Sequence, residues 1–152
     1  LFSFYTVYFF RDRDLINFLL ILIICITTDI GGYIFGKIFK GPRLIKISPN
    51  KTYAGMIGSF LLSIIASYLF AIKYDSTFLQ NQNLSEEIYF IFLVFLISSV
   101  SQIGDLIISY FKRLSKIKNT GNIFPGHGGL LDRIDGMIFA FPFIFLVSKI
   151  LL

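Results

Sequence analysis

The apolar residues of this 152-residue chain fall into long unbroken runs, and that feature limits its fold more than any other. A bilayer span needs about 20 consecutive apolar residues at a rise of about 1.5 Å each. Four segments reach that length, at about 15–36, 54–72, 88–111 and 134–152. The stretch 1–10 is half as long and reads as the end of a truncated span or an interfacial aromatic belt. Only 15% of residues are charged against 55% hydrophobic, too few to coat a soluble globule of this size. The expected fold is all-α, a polytopic integral membrane protein with about four full transmembrane helices plus a truncated N-terminal one. Residues 1–152 read as a single membrane-embedded domain. The opening at Leu1, within an aromatic run, suggests the C-terminal part of a longer protein. The single cysteine, Cys25, lies inside an apolar run, so no disulfide framework is expected.

The loops between spans sort by charge. Residues 37–53 carry Lys37, Lys40, Arg43, Lys46 and Lys51 with no acid. Residues 112–133 carry Lys112, Arg113, Lys116, Lys118 and Arg133 against Asp132 alone. The intervening loop sets Lys73 against Asp75, Glu86 and Glu87. Successive spans require such alternation, and both basic loops are expected on the cytoplasmic side. This accounts for the net charge of +5, and no nucleic-acid partner is expected.

Several polar groups do not belong in lipid. Asp29 sits within the first full span, where a carboxylate costs at least about 2.5–3.5 kcal/mol, so it should face protein or water. Gly32, Tyr33 and Gly36 share its helical face, and the glycines would admit a close neighbour. Asp29 could instead serve assembly alone, by pairing with a basic residue. On the third span Ser98, Ser101, Gln102, Asp105, Ser109 and Lys112 recur every three or four residues as one polar stripe. Serines and glutamine alone would suit interhelical hydrogen bonding. Two charges on the stripe suggest the wall of a polar cavity.

Beyond Lys112 and Arg113, the loop contains Pro125-Gly126-His127-Gly128-Gly129, then Asp132-Arg133-Ile134-Asp135. The glycines permit close backbone approach to a ligand, and a nest of backbone N–H groups there could hold an anion. Asp132 and Asp135, at i and i+3, fall on one face of the first turn of the last span. Asp132 could be a helix cap, and a lone histidine such as His127 is more often structural. Asp105, Asp132 and Asp135 with nearby cations suit Mg²⁺ and a transferring phosphoryl or nucleotidyl group. From the residues alone, phosphoryl transfer, nucleotidyl transfer and an ion or transport pathway all remain open.

The blocks Ser109-Tyr110-Phe111-Lys112-Arg113, Pro125 to Gly129 and Asp132 to Asp135 closely resemble the signature of the phosphatidate cytidylyltransferase (CDP-diacylglycerol synthase) family. Gly104-Asp105-Leu106, Ser48-Pro49-Asn50-Lys51-Thr52-Tyr53-Ala54-Gly55 and the segment Asp29 to Gly36 resemble further blocks of that family. The resemblance implies attack of phosphatidate on the α-phosphate of CTP, with Mg²⁺ present and pyrophosphate leaving. It implies Asp105 and Asp132 as metal ligands, Lys112 and Arg113 on phosphates, and Asp135 orienting metal-bound groups or Arg133. Gly126, His127, Gly128 and Gly129 would approach the nucleotide, while Ser48, Lys51 and Thr52 form a second wall and Ser109 and Arg133 join the substrate-binding set. The implied partners are CTP, phosphatidate and the lipid bilayer, with a homo-oligomer left open. The implied location is a bacterial inner membrane, with the site facing the cytoplasm. Asn119, Ala54 and Tyr53 depart from the family's usual Asp, Glu and Trp. A CTP-dependent lipid kinase and an inactive membrane scaffold are the alternatives, as is a transporter-like remnant.

Overall fold

A computed structural model describes residues 1–45, 48–74, 84–117 and 134–151, without the side chains of residues 45, 48–50, 150 and 151. The described elements are α1 (Phe2–Arg13), α2 (Leu15–Phe39), β1 (Arg43–Ile45), β2 (Ser48–Thr52), α3 (Tyr53–Tyr74), α4 (Leu84–Leu114) and α5 (Met137–Leu151). Helices α2, α3 and α4 are long and apolar enough to cross a membrane, and α5 is a shorter apolar helix. The chain is an all-α polytopic membrane protein, as the apolar runs predict.

Two local differences from the sequence reading bear on the site. Arg43–Ile45 and Ser48–Thr52 form a small antiparallel hairpin where the sequence reading has only a basic loop. Helix α2 ends at Lys40, which takes a left-handed conformation at φ 51°, and Gly41 and Pro42 then lead into the hairpin. The last helix begins at Met137, so Asp135 lies in the turn ahead of it and not on its first helical turn. The cause is local: Asp135 Oδ1 accepts from the Gly136 N–H at 3.0 Å, and the Gly136 carbonyl then accepts the first helical bond, from Ala140 N.

Helix ends are set by their caps. The Asp14 carboxylate accepts from Ile16 N at 3.0 Å and Asn17 N at 3.1 Å, separating α1 from α2 with a single residue. Thr52 caps α3 by accepting from Gly55 N at 3.1 Å. The stretch at the N-terminus folds as α1, whose Phe9 ring meets Phe145 of α5 edge-on at 5.1 Å. Phe2 and Tyr5 approach the same ring.

Packing divides the bundle into two halves. At the end bearing the α1–α2 turn, Leu20, Ile21, Ile24, Phe90, Val94, Phe141 and Ile144 form an apolar core. At the hairpin end, small residues replace it. A Cβ at Gly31 would lie 2.7 Å from the Gly58 carbonyl oxygen, and one at Gly55 would lie 2.6 Å from that of Gly32. The backbones of α2 and α3 are therefore in contact, as small residues allow between membrane helices. Helix α3 is inverted relative to a soluble helix: Gly55, Ser59, Ser63 and Ser67 are buried, while Ile57, Leu61, Ile65 and Leu69 are exposed. An apolar face turned outward in this way suits lipid or a neighbouring membrane helix.

Candidate active site

The polar stripe of α4 faces the α2–α3 pair. Thr28 of α2 places its hydroxyl 2.8 Å from Ser98 Oγ, and the Gln102 side-chain amide donates to that same oxygen at 3.4 Å. Ser59 of α3 donates to the Thr28 carbonyl at 2.8 Å. Deep in the bundle, then, Ser98 and Thr28 act as interhelical hydrogen-bond partners. Closer to the hairpin the stripe opens onto a cavity of about 320 Å³. Asp29, Gly32 and Tyr33 of α2 form one wall, and Lys51 and Thr52 of β2 another. Gln102 and Asp105 of α4 close it together with Asp135.

The charges in and beside this cavity are arranged in two linked pairs. Lys51 Nζ is hydrogen-bonded to Asp105 Oδ2. Ser109, one turn further along α4, lies 3.4 Å from the other oxygen of Asp105. Lys112 Nζ stands 3.7 Å from Asp135 Oδ2. Burial pushes the Asp135 carboxyl up to about 7, and the charge of Asp105 and a hydrogen bond with it push the same way. The Lys112 ammonium and the Gly136 N–H oppose that shift without cancelling it. Two carboxyls pressed together in this way favour a shared proton or a cation between them.

Of the residues singled out from sequence, Lys51, Thr52, Asp105, Ser109, Lys112 and Asp135 are gathered here. Asp29, at mid-helix, lines the cavity as its insertion cost requires. Arg113 is exposed on the last turn of α4 and is not among the cavity's lining residues. Ser48 lies in β2 opposite Ile45. Gly126, His127, Gly128, Gly129, Asp132 and Arg133 lie outside the described residues. Among the described residues no three His, Cys, Asp or Glu side chains cluster as a metal site, so Asp105 and Asp135 are a two-carboxylate pair. Sequence reasoning gave Tyr33 no role beyond its shared face with Asp29, yet its ring joins the wall; only its spacing from Asp29 could have signalled this.

The oxygen-only donor set of Asp105 and Asp135 fits Mg²⁺, a hard cation that takes one or two carboxylates and completes its shell with water and phosphate oxygens. A carboxyl buried beside a second acid is the arrangement that such a cation relieves.

Known proteins resemble this chain along most of its length. A curated phosphatidate cytidylyltransferase of Rickettsia bellii is 37% identical over 147 residues, which cover 95% of this chain and 63% of that protein. Proteins of the same name from Staphylococcus haemolyticus and Helicobacter pylori are 39% and 35% identical, covering 89% and 86% of this chain. The chain spans 50% and 46% of the lengths of those two relatives. The model of the cytidylyltransferase family matches residues 1–151, and the chain therefore belongs to that family.

Proposed function

We propose that the cavity is a cytidylyl-transfer site, joining CTP to phosphatidate to give CDP-diacylglycerol and pyrophosphate. The observation that carries the reading is the convergence of Lys51, Asp105 and Asp135 in one cavity between lipid-facing helices. The names of the bacterial relatives support it. An oxygen of the phosphatidate phosphate forms the new bond to the α-phosphorus of CTP, and the bond to the β-phosphate oxygen breaks. Both reacting groups are anions, so the first task of the site is to reduce their repulsion.

Lys51 supplies positive charge from the cavity wall and Lys112 stands behind Asp135, each paired with a carboxylate. Such preorganised charge needs no rearrangement as the transition state forms. Mg²⁺ would be held by Asp105 together with Asp132 or Asp135, and when bound it would neutralise phosphate charge. Ser109 fixes the orientation of Asp105, and Thr52 holds the start of α3 against the hairpin that carries Lys51. No enzyme nucleophile is required, because the lipid phosphate is itself one. The basic hairpin end is assigned to the cytoplasmic face of a bacterial inner membrane, where Lys and Arg accumulate and CTP is available.

The test is incubation of the full-length protein with phosphatidate and CTP labelled in turn on the α- and γ-phosphates. Cytidylyl transfer places the α-label in lipid and the γ-label in pyrophosphate. The γ-label in lipid, with CDP released, would mean a lipid kinase and overturn the reading.

A further inference from the structure

Beside the transfer cavity lies a second one of about 480 Å³, and the two share Tyr33 and Thr52 in their walls. Lys37, Lys40 and Arg43 line it, and among the described residues no carboxylate does. None of the three is in an ion pair among the described residues. Each is held differently. Lys37 Nζ lies 5.6 Å from the centroid of the Tyr33 ring, a cation–π contact with a residue of the shared wall. Lys40 occupies a left-handed backbone position that glycine would fill more easily, which turns the chain into the hairpin. Arg43 is paired across the hairpin with Thr52.

Cations at the end of α2 are partly explained by the helix dipole and by the charge bias of membrane loops. Those effects call for positive charge, but not for a concave surface joined to the transfer cavity. Three cations lining one concavity, with no acid among the described residues there, are complemented by a compact group bearing more than one negative charge, and Arg adds a fork suited to phosphate oxygens.

We propose that Lys37, Lys40 and Arg43 form an anion seat for a phosphate-bearing group beside the transfer cavity. Two sources carry that chemistry. One is the pyrophosphate released in the reaction proposed above, and this source rests on that reading. The other is the headgroup phosphate of an anionic lipid at the membrane surface.

Direct binding separates the two sources and does not depend on turnover. The full-length protein in phosphatidylcholine nanodiscs is titrated calorimetrically with inorganic pyrophosphate without Mg²⁺, alongside a Lys37→Gln, Arg43→Gln double variant and a triple variant that adds Lys40→Gln. A parallel set carries phosphatidylglycerol as the sole anionic lipid, and lipid retained by the protein is counted by native mass spectrometry. Pyrophosphate affinity at least about tenfold weaker in the triple variant supports the seat and assigns it to the free anion. Loss of retained phosphatidylglycerol in the variant, with no pyrophosphate bound by wild type, supports the seat and assigns it to lipid. Should the triple variant fail to fold, the double variant carries the same comparison, with Lys73→Gln as the distant control. Unchanged binding of both probes overturns the proposal. Failure to make CDP-diacylglycerol with pyrophosphate still bound would sink the reaction and leave the seat standing.

Discussion

Lys51 of the hairpin and Asp105 of α4 are bonded to each other although 54 positions separate them in sequence. The pair ties the wall formed by β2 to the wall formed by α4, and it sets the charge at the centre of the cavity. Asp105→Asn keeps the shape of the side chain and removes its charge. In the full-length protein it should lower CDP-diacylglycerol formation by about 100-fold or more, the scale of losing a preorganised electrostatic group. Lys51→Arg should retain more activity than Lys51→Met. Near-wild-type turnover by Asp105→Asn at saturating CTP and Mg²⁺ would remove Asp105 from the site.

Cation binding can be read without catalysis. If Asp105 and Asp135 help to hold Mg²⁺, the ion stabilises the native protein by about 2.7 kcal/mol at a concentration 100 times its dissociation constant. For a domain of this size that is a rise in melting temperature of roughly 5–10 °C. Thermal unfolding in detergent should show the rise in wild type and lose it in Asp105→Asn. An equal rise in Asp105→Asn and Asp135→Asn places the ion elsewhere.

The contact between α2 and α3 makes a separate demand. A side chain at Gly31 would meet the backbone of Gly58 and Ser59 on α3, neither of which can yield as a flexible side chain would. Gly31→Val should destabilise the folded protein by about 1–3 kcal/mol or more, the usual range for overpacking. Ile57→Val, on an exposed face of α3, should be nearly silent by comparison. Equal melting temperatures for the two variants would mean that the helices do not touch at Gly31.

The membrane helices were legible because each depends on a long local run of one kind of residue. That Asp29 and Asp105 face the cavity and not lipid was legible because a charge within an apolar helix needs a polar surrounding. The hairpin was not, since three residues of β1 and five of β2 are too few for alternation to stand out against a basic loop. The position of Asp135 ahead of α5 depends on its own bond to Gly136 and on the closeness of Gly136 to Ser101, and helical spacing carries neither. Lys37, Lys40 and Arg43 were read only as markers of topology. Their common cavity needs the left-handed turn at Lys40, which a lysine does not announce.

The topology itself can be tested by labelling. Helices α2, α3 and α4 follow one another with alternating direction, so the end of α2 and the end of α4 must share a membrane face if one cavity is to contain Lys51 and Asp105. Cys25 is buried, and a Cys25→Ser background removes it from the measurement. In that background, Lys40→Cys and Lys116→Cys should react with an impermeant maleimide from the cytoplasmic side. Arg11→Cys and Lys73→Cys, at the opposite helix ends, should react only from the other side. The expected direction follows from the basic loops, because Lys and Arg near span ends favour the cytoplasmic side during insertion. Labelling of Lys40→Cys and Lys116→Cys from opposite sides would break the bundle's order and the shared cavity with it. Labelling of both from the outer side would keep the cavity but reverse its orientation, and a site turned away from cytoplasmic CTP could not carry out the proposed transfer.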